Sequence, residues 1–263
     1  MFELKYGDKN EHVKLLQRAL NEKLSLSLIP DGDYGKLTME AVKSFQDKNK
    51  LPITGVYDSN TQALLEPYIS SRFITETSIA KASKEFGLSI PLIKAFREVE
   101  SNGNAFLKNG KCSILFERHK FYQCLTKKIG KVEADKIAKQ NNNLCLSTPG
   151  GYIGGVGEWS RIELARVIDK DCANASASWG AFQLMGFNYK VCGYSSIDSF
   201  VKAMQDSEVN HLTAVMNFIK NNTPLYNACK NLNFNKIAEY YNGPNYAINN
   251  YHNKLAAAYK KYS

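Results

Sequence analysis

Apolar residues recur at helical spacing from the first turn of the chain. "NEHVKLLQRALNEKL" places Val13, Leu16, Gln17 and Leu20 on one face. "DGDYGKLTMEAVKSFQDKNKL" predicts a turn and then a helix with Ala41, Val42 and Phe45 inward. "GVYDSNTQALLEPY" repeats the layout: a glycine turn, Asp58 or Ser59 as a cap, and a short helix. "DG.YG..T" and "G.YDSNT" form a weak internal repeat. The first 65 residues therefore predict three short helices joined by turns. "EPYISSRFITET" follows, with a proline, two serines and no clear period, and reads as a linker. The expected boundaries are a first domain over 1–68, a linker over 69–77 and a second domain over 78–263.

Beyond the linker, "SIAKASKEFGL" and "PLIKAFREVE" predict two helices broken at Gly87, with Pro91 opening the second. "KCSILFERHKFY" alternates loosely and suggests a short strand. "STPGGYIGGVGEWS" is glycine-rich and leads into the helical "EWSRIELARVID". "SASWGAFQLMGFNYKVCGYSS" reads as a turn rich in small and aromatic residues, and the remaining stretches are helix after helix. The fold class that follows is mainly α: a small three-helix domain joined to a mostly helical one with a small irregular or β-containing insert near 110–157.

Composition and charge narrow the partners. The 263 residues are 44% hydrophobic and 22% charged, as in a globular protein, and no apolar run is long enough to span a bilayer. The opening "MFELKYGDKNEHVK" lacks an apolar signal region, so synthesis in a cytoplasm is expected. Residues 1–70 carry 9 Lys/Arg against 10 Asp/Glu, leaving +10 of the net +9 on residues 71–263. A basic excess confined to one half points to an anionic partner for that half. A nucleic-acid partner is not expected, because the three-helix half that could imitate a helix-turn-helix is the acidic one. The six cysteines form no C-x-x-C pair and read as free thiols, open to change in an oxidising compartment. His12, His119, His211 and His252 show no zinc spacing, so neither metal nor cofactor is expected. "GGYIGG" lacks the Gly-Lys-Ser/Thr of a phosphate loop and reads as a flexible lip.

Two carboxylates two positions apart in "AFREVESNGNAF" carry the candidate chemistry. At about 100° per residue, Leu92, Ile93, Phe96 and Val99 share one side of the helix. Glu100 falls at the margin of that apolar face, and Glu98 points to the polar side. Side chains two apart do not face one another, so these are not a catalytic pair. A carboxyl against apolar surface at a helix C-terminus is desolvated and meets a partial negative charge; both raise its pKa, as a general acid requires. Gly103 is placed to end the helix in a left-handed cap.

The ordered blocks "VESNGNAF", "ILFERHKF", "GGYIGGVGEWSRIELA", "ASASWGAFQLMGFNYKVCGY" and "EYYNGPNYAINNYHNKLAAAY" resemble the N-acetylmuramidase domain of bacteriophage endolysins, of lysozyme-like fold. "YGDKNEHVKLLQRALN", "DGDYGKLTMEAVKSFQ" and "LPITGVYDSNTQALL" resemble the small peptidoglycan-binding domain of cell-wall hydrolases. The resemblance implies cleavage of the β-1,4 bond between N-acetylmuramic acid and N-acetylglucosamine in bacterial peptidoglycan, by a monomer. It makes Glu100, followed by Ser101, the catalytic acid. Ser178, Trp179 and Gln183 become sugar-groove residues, Trp179 through an apolar face and Gln183 through its two-way amide. Tyr241, beside Asn242, would hydrogen-bond the Glu100 carboxyl or the sugar. Asp31, Tyr34, Gly35 and Thr38 become candidate wall contacts.

Glycoside hydrolysis usually takes a second carboxylate. Glu117 ranks first and Glu158 second as guides for a water, while Glu163 reads as a structural ion pair with Arg118 or Arg161. With no second acid, attack by the substrate's own 6-hydroxyl would give a lytic transglycosylase. An amidase or peptidase would need zinc ligands or a Cys-His nucleophile, for which only Cys112 with His119 is conceivable. The resemblance implies residence in the host cytoplasm until a holin-type lesion opens the way to the wall. The basic half would then favour an anionic wall or outer-membrane surface, with Lys254, Lys260 and Lys261 of the final helix as candidates.

Overall fold

The computed structural model describes residues 3–100, 105–107, 109–244, 246–248 and 250–263. The chain divides into two compact units, Met1–Thr75 and Glu76–Ser263.

The first unit is three helices, α1 (Glu11–Leu24), α2 (Lys36–Lys48) and α3 (Ser59–Arg72). Asn10 caps α1 by accepting from the Val13 N–H, and Asp58 caps α3 by accepting from the Thr61 N–H. Val13, Leu16, Leu20, Val42, Phe45, Leu65, Ile69 and Phe73 form the core. The segment read as a linker is helical as far as Arg72 despite Pro67. Leu65, Ile69 and Phe73, four apart, bury one after another, and that spacing keeps the helix going past its proline.

The internal repeat is a repeated hydrogen-bond device. Gln17 Nε2 donates to Asp31 Oδ1, the Asp33 carbonyl and Thr38 Oγ1, and its Oε1 accepts from the Gly32 N–H. Gln46 does the same one helix later: Nε2 donates to Thr54 Oγ1, the Val56 carbonyl and Thr61 Oγ1, and Oε1 accepts from the Gly55 N–H. Both glycines hold positive φ, 83° and 69°, where a β-carbon is disfavoured. The repeat corrects two candidate wall contacts. Tyr34 is fully buried with its hydroxyl donating to the Gly55 carbonyl, and Thr38 is 2% exposed inside the Gln17 network. Asp31 stays exposed and Gly35 half-buried.

The second unit begins with α4 (Glu76–Phe86) and α5 (Ile90–Glu100), turned at Gly87. It continues through β1 (Ile114–Phe116), α6 (Arg118–Ile129), α7 (Lys131–Gln140), α8 (Val156–Ala175), β2 (Ala177–Trp179) and β3 (Leu184–Met185). It closes with α9 (Ile197–Asp206), α10 (Glu208–Asn221), α11 (Thr223–Lys230), α12 (Phe234–Asn242) and α13 (Tyr251–Tyr262). The strands form an antiparallel sheet in the order β1-β2-β3, with Ile114 opposite Trp179 and Ser178 opposite Met185. Two expectations change here. The insert is largely a helical hairpin, α6 and α7, and two of the three strands come from "ASW" and "LM", read as a turn. Both strands are too short to show a period.

α5 buries Leu92, Ile93, Ala95 and Phe96 and runs along α13, which contributes Tyr251, Leu255 and Ala258. Gly103 and Ser101 lie outside the described residues. Cys124 and Cys172 form a disulfide joining α6 to α8, which replaces the expectation of free thiols for that pair. Cys145, Cys192 and Cys229 are free and buried, and Cys112 is buried with its Sγ 4.0 Å from His211 Nε2. Beside the disulfide, Asp169 departs from helical geometry (φ −157°, ψ 108°). It accepts from the Cys172 N–H and from Lys128 Nζ.

Candidate active site

Glu100 is the last residue of α5, where the buried Phe96 face of the helix meets α13. Burial pushes its carboxyl up to about 7, against the opposing pull of a Tyr251 hydroxyl that donates to Oε1 at 2.5 Å. Tyr251 stacks on Tyr241 with ring centroids 6.1 Å apart, and Tyr241 packs on Phe96 at 5.3 Å and Phe218 at 5.9 Å. Burial first, and then the neighbouring Glu100 charge, hold both phenols well above their ordinary range. They therefore remain protonated donors. The carboxyl sits against aromatic rings with Tyr251 as a donor among the described residues, and burial raises it into the range where a carboxyl is partly protonated near neutral pH.

The expected Tyr241–carboxyl contact is thus made by Tyr251. Tyr241 donates instead to the Phe182 carbonyl at 3.2 Å, tying α12 to the turn that carries Gln183. Within that turn Ser178 Oγ donates to Gln183 Oε1 at 2.7 Å, and Gln183 Nε2 donates to the Gly180 carbonyl at 2.9 Å. Gln183 is exposed and holds φ 45°, a left-handed conformation fixed by those two bonds. Asn242 ends α12 and is exposed.

His211 secures the turn from below, a role the sequence gave no sign of. Its Nδ1 accepts from the Ala181 N–H at 3.1 Å, so Nε2 carries the proton and donates to the Met204 carbonyl at 2.7 Å. A β-carbon on Gly180, at φ 73°, would stand 2.7 Å from His211 Nδ1. Trp179 does not reach a groove. It is fully buried, donates from Nε1 to the Asn174 carbonyl at 3.0 Å and meets Trp159 edge-to-face.

The candidate second carboxylates separate sharply. Glu158 is fully buried and bonded to Arg161 Nη1 at 2.7 Å. It also accepts from the Phe116, Ile153 and Gly154 N–H groups. Burial alone would raise its pKa, but the three amides and the guanidinium outweigh it and hold the group below its ordinary range. Every lone pair it could offer a water is taken up by the fold, so Glu158 is a structural ion pair. Its amide contacts anchor the glycine loop read as a flexible lip. Glu163 pairs with Arg166 at 2.8 Å rather than with Arg118 or Arg161. Together with Lys170, Asn174 and Asp198 it lines an open surface pocket of about 640 Å³ that shares no residue with the Glu100 cluster.

Glu117 stands between β1 and α6 with its side chain 17% exposed. Oε2 accepts from the Tyr152 hydroxyl at 2.7 Å and lies 3.2 Å from His119 Nδ1. His119 thus faces Glu117 and not the thiol of Cys112, whose Sγ lies 4.0 Å from His211 Nε2. Neighbouring Arg118 donates to the Thr148, Pro149 and Asn142 carbonyls, holding the glycine loop against the same corner. No group of three or more metal-ligating side chains occurs among the described residues.

The family model of N-acetylmuramidase matches residues 89–263, which includes every element of the Glu100 cluster. The chain belongs to the N-acetylmuramidase family. A peptidoglycan binding domain model matches residues 9–65 of the muramidase, within its first unit. The crystal structure of a Burkholderia AP3 phage endolysin is similar to it over 99% of each chain, with 34% sequence identity and a TM-score of 0.68. No curated protein sequence matches it. The muramidase is accordingly a glycoside hydrolase of the lysozyme type, mainly helical, with a small three-stranded sheet beside the turn that carries Gln183.

Proposed function

We propose that this muramidase is an endolysin that hydrolyses the β-1,4 bond from N-acetylmuramic acid to N-acetylglucosamine, with Glu100 as the general acid. The observation that carries the proposal is the half-buried Glu100 carboxyl, raised to about 7 and bonded by Tyr251. Such a group is still protonated when the leaving oxygen needs a proton and gives it up readily once the bond breaks. Gln183, fixed by Ser178, offers its remaining amide N–H to the glycan. Glu117 is the carboxylate proposed to guide the attacking water, since Glu158 and Glu163 are committed to Arg161 and Arg166. The first unit would bring the enzyme to the wall through the exposed surface around Asp31. Release to the wall through a lesion made by another protein belongs to the same reading; among the described residues no helix is long and apolar enough to cross a membrane.

The test is mass spectrometry of glycan fragments released from purified peptidoglycan by wild type, Glu100→Gln and Glu117→Gln. Reducing N-acetylmuramic acid ends, lost with Glu100→Gln, are expected. Anhydro ends would replace hydrolysis by transglycosylation and return Glu117 to a structural role, and fragments that survive Glu100→Gln would remove Glu100 from the chemistry.

A further inference from the structure

More than half of the basic excess of the second unit lies on one hairpin. Residues 118–140 hold 7 Lys/Arg and 2 Asp/Glu, a net +5, against +9 for residues 76–263. At its tip, α6 ends and α7 begins on either side of Gly130, which takes φ 86° to make the turn. The seven residues from Lys127 to Glu133 are all exposed. Two of them are aliphatic: Ile129 at 42% and Val132 at 69% relative exposure. A helix–helix turn built only for solubility has no use for two branched aliphatics at its apex. Around them stand Lys127, Lys128, Lys131 and Lys136. The acids at hand form three ion pairs, Lys128–Asp169, Lys131–Asp135 and Lys136–Glu133, with lysine side chains 50%, 72% and 64% exposed. Pairs as open as these are weak and exchange readily for another anion.

We propose that this tip is a docking surface for an anionic phospholipid bilayer. Ile129 and Val132 enter the headgroup region while the surrounding lysines meet lipid phosphates. The pairing of apolar apex and cationic collar favours a bilayer over a soluble polyanion, which would use the lysines and leave the aliphatics in water. The final helix is the weaker candidate for such a contact, because Lys254, Lys260 and Lys261 have no large exposed aliphatic side chain beside them on α13. The disulfide and the Lys128–Asp169 pair fix the hairpin to α8, so a docked tip would hold the muramidase domain at the membrane surface next to the wall.

The test is co-sedimentation of the full chain with vesicles of phosphatidylglycerol and phosphatidylethanolamine, against vesicles of phosphatidylcholine alone. Binding to the anionic vesicles, weakened by salt, is expected. Lys127→Gln and Lys131→Gln should each weaken it about fivefold. Ile129→Ser with Val132→Ser should weaken it about tenfold or more. Lys254→Gln should leave it unchanged, and all these variants should degrade purified peptidoglycan like wild type. Equal binding to phosphatidylcholine, or hairpin variants that bind as wild type does, would overturn the proposal. Loss with the lysine variants but not with the serine pair would also overturn it, in favour of a soluble polyanion.

Discussion

The raised carboxyl of Glu100 is a stability statement as well as a catalytic one. In the folded enzyme it titrates at about 7 instead of 4.5. The gap, at about 1.4 kcal/mol per pH unit, is worth about 3 kcal/mol. Below pH 4.5 the group is protonated in both folded and unfolded chains and contributes no difference. As pH rises the unfolded chain ionises first, and the folded state then bears a growing penalty that levels off above pH 7. Glu100→Gln keeps an acceptor for the Tyr251 hydroxyl and removes the charge. The variant should therefore match wild type near pH 4 and exceed it by about 3 kcal/mol at pH 8. For a unit of this size that gain is about 6–12 °C in melting temperature. Scanning calorimetry of the full chain at several pH values measures it directly. A melting-temperature difference that does not grow between pH 4 and pH 8 would refute the burial of an ionisable Glu100, and with it the physical basis for assigning this residue as the acid.

Tyr251→Phe removes a donor that favours ionised Glu100, so the decline of kcat/KM with rising pH should move from about 7 to higher pH; an unmoved profile on soluble glycan would mean that the hydroxyl does not tune the acid. Glu158→Gln breaks a fully buried pair and should cost about 3–5 kcal/mol in urea denaturation, with activity retained where the variant is folded. Lost activity at unchanged stability would put Glu158 back in the chemistry. The Cys124–Cys172 disulfide closes a separation of 48 residues, worth about 4 kcal/mol in chain entropy. A thiol reductant should lower the melting temperature of wild type and leave a Cys124→Ala, Cys172→Ala variant unmoved.

Where the chain repeats a strong local pattern, sequence and structure agree. Val13, Leu16 and Leu20 lie on the buried face of α1 as their spacing requires, Asp58 caps α3, and β1 falls inside "SILF". The placing of Glu100 at the end of an apolar helix face was also legible, because helix geometry depends on neighbours three and four residues away. Wherever composition stood in for period, the reading failed: Pro67 and two serines masked the Leu65–Ile69–Phe73 face, and Trp179 looked like a sugar platform when it is core. Tyr34 and Thr38 failed for a related reason. Their motif is specific because it builds the Gln17 network, and a motif that builds the fold reads the same as one that binds a ligand.

The sequence alone carried two units, a mainly helical second unit, the resemblance to its family and the carboxylate proposed for proton transfer. Tertiary structure alone decided which side chain touches that carboxylate, 151 residues away in the chain. It likewise decided that His211 holds the Gln183 turn, that Cys124 meets Cys172, and that Glu158 spends its charge on Arg161 and three amides. The physical reason is range. Helix periodicity and capping are fixed by contacts within a few residues, whereas desolvation, and so the pKa of an acid, is set by whatever the fold brings over it from anywhere in the chain.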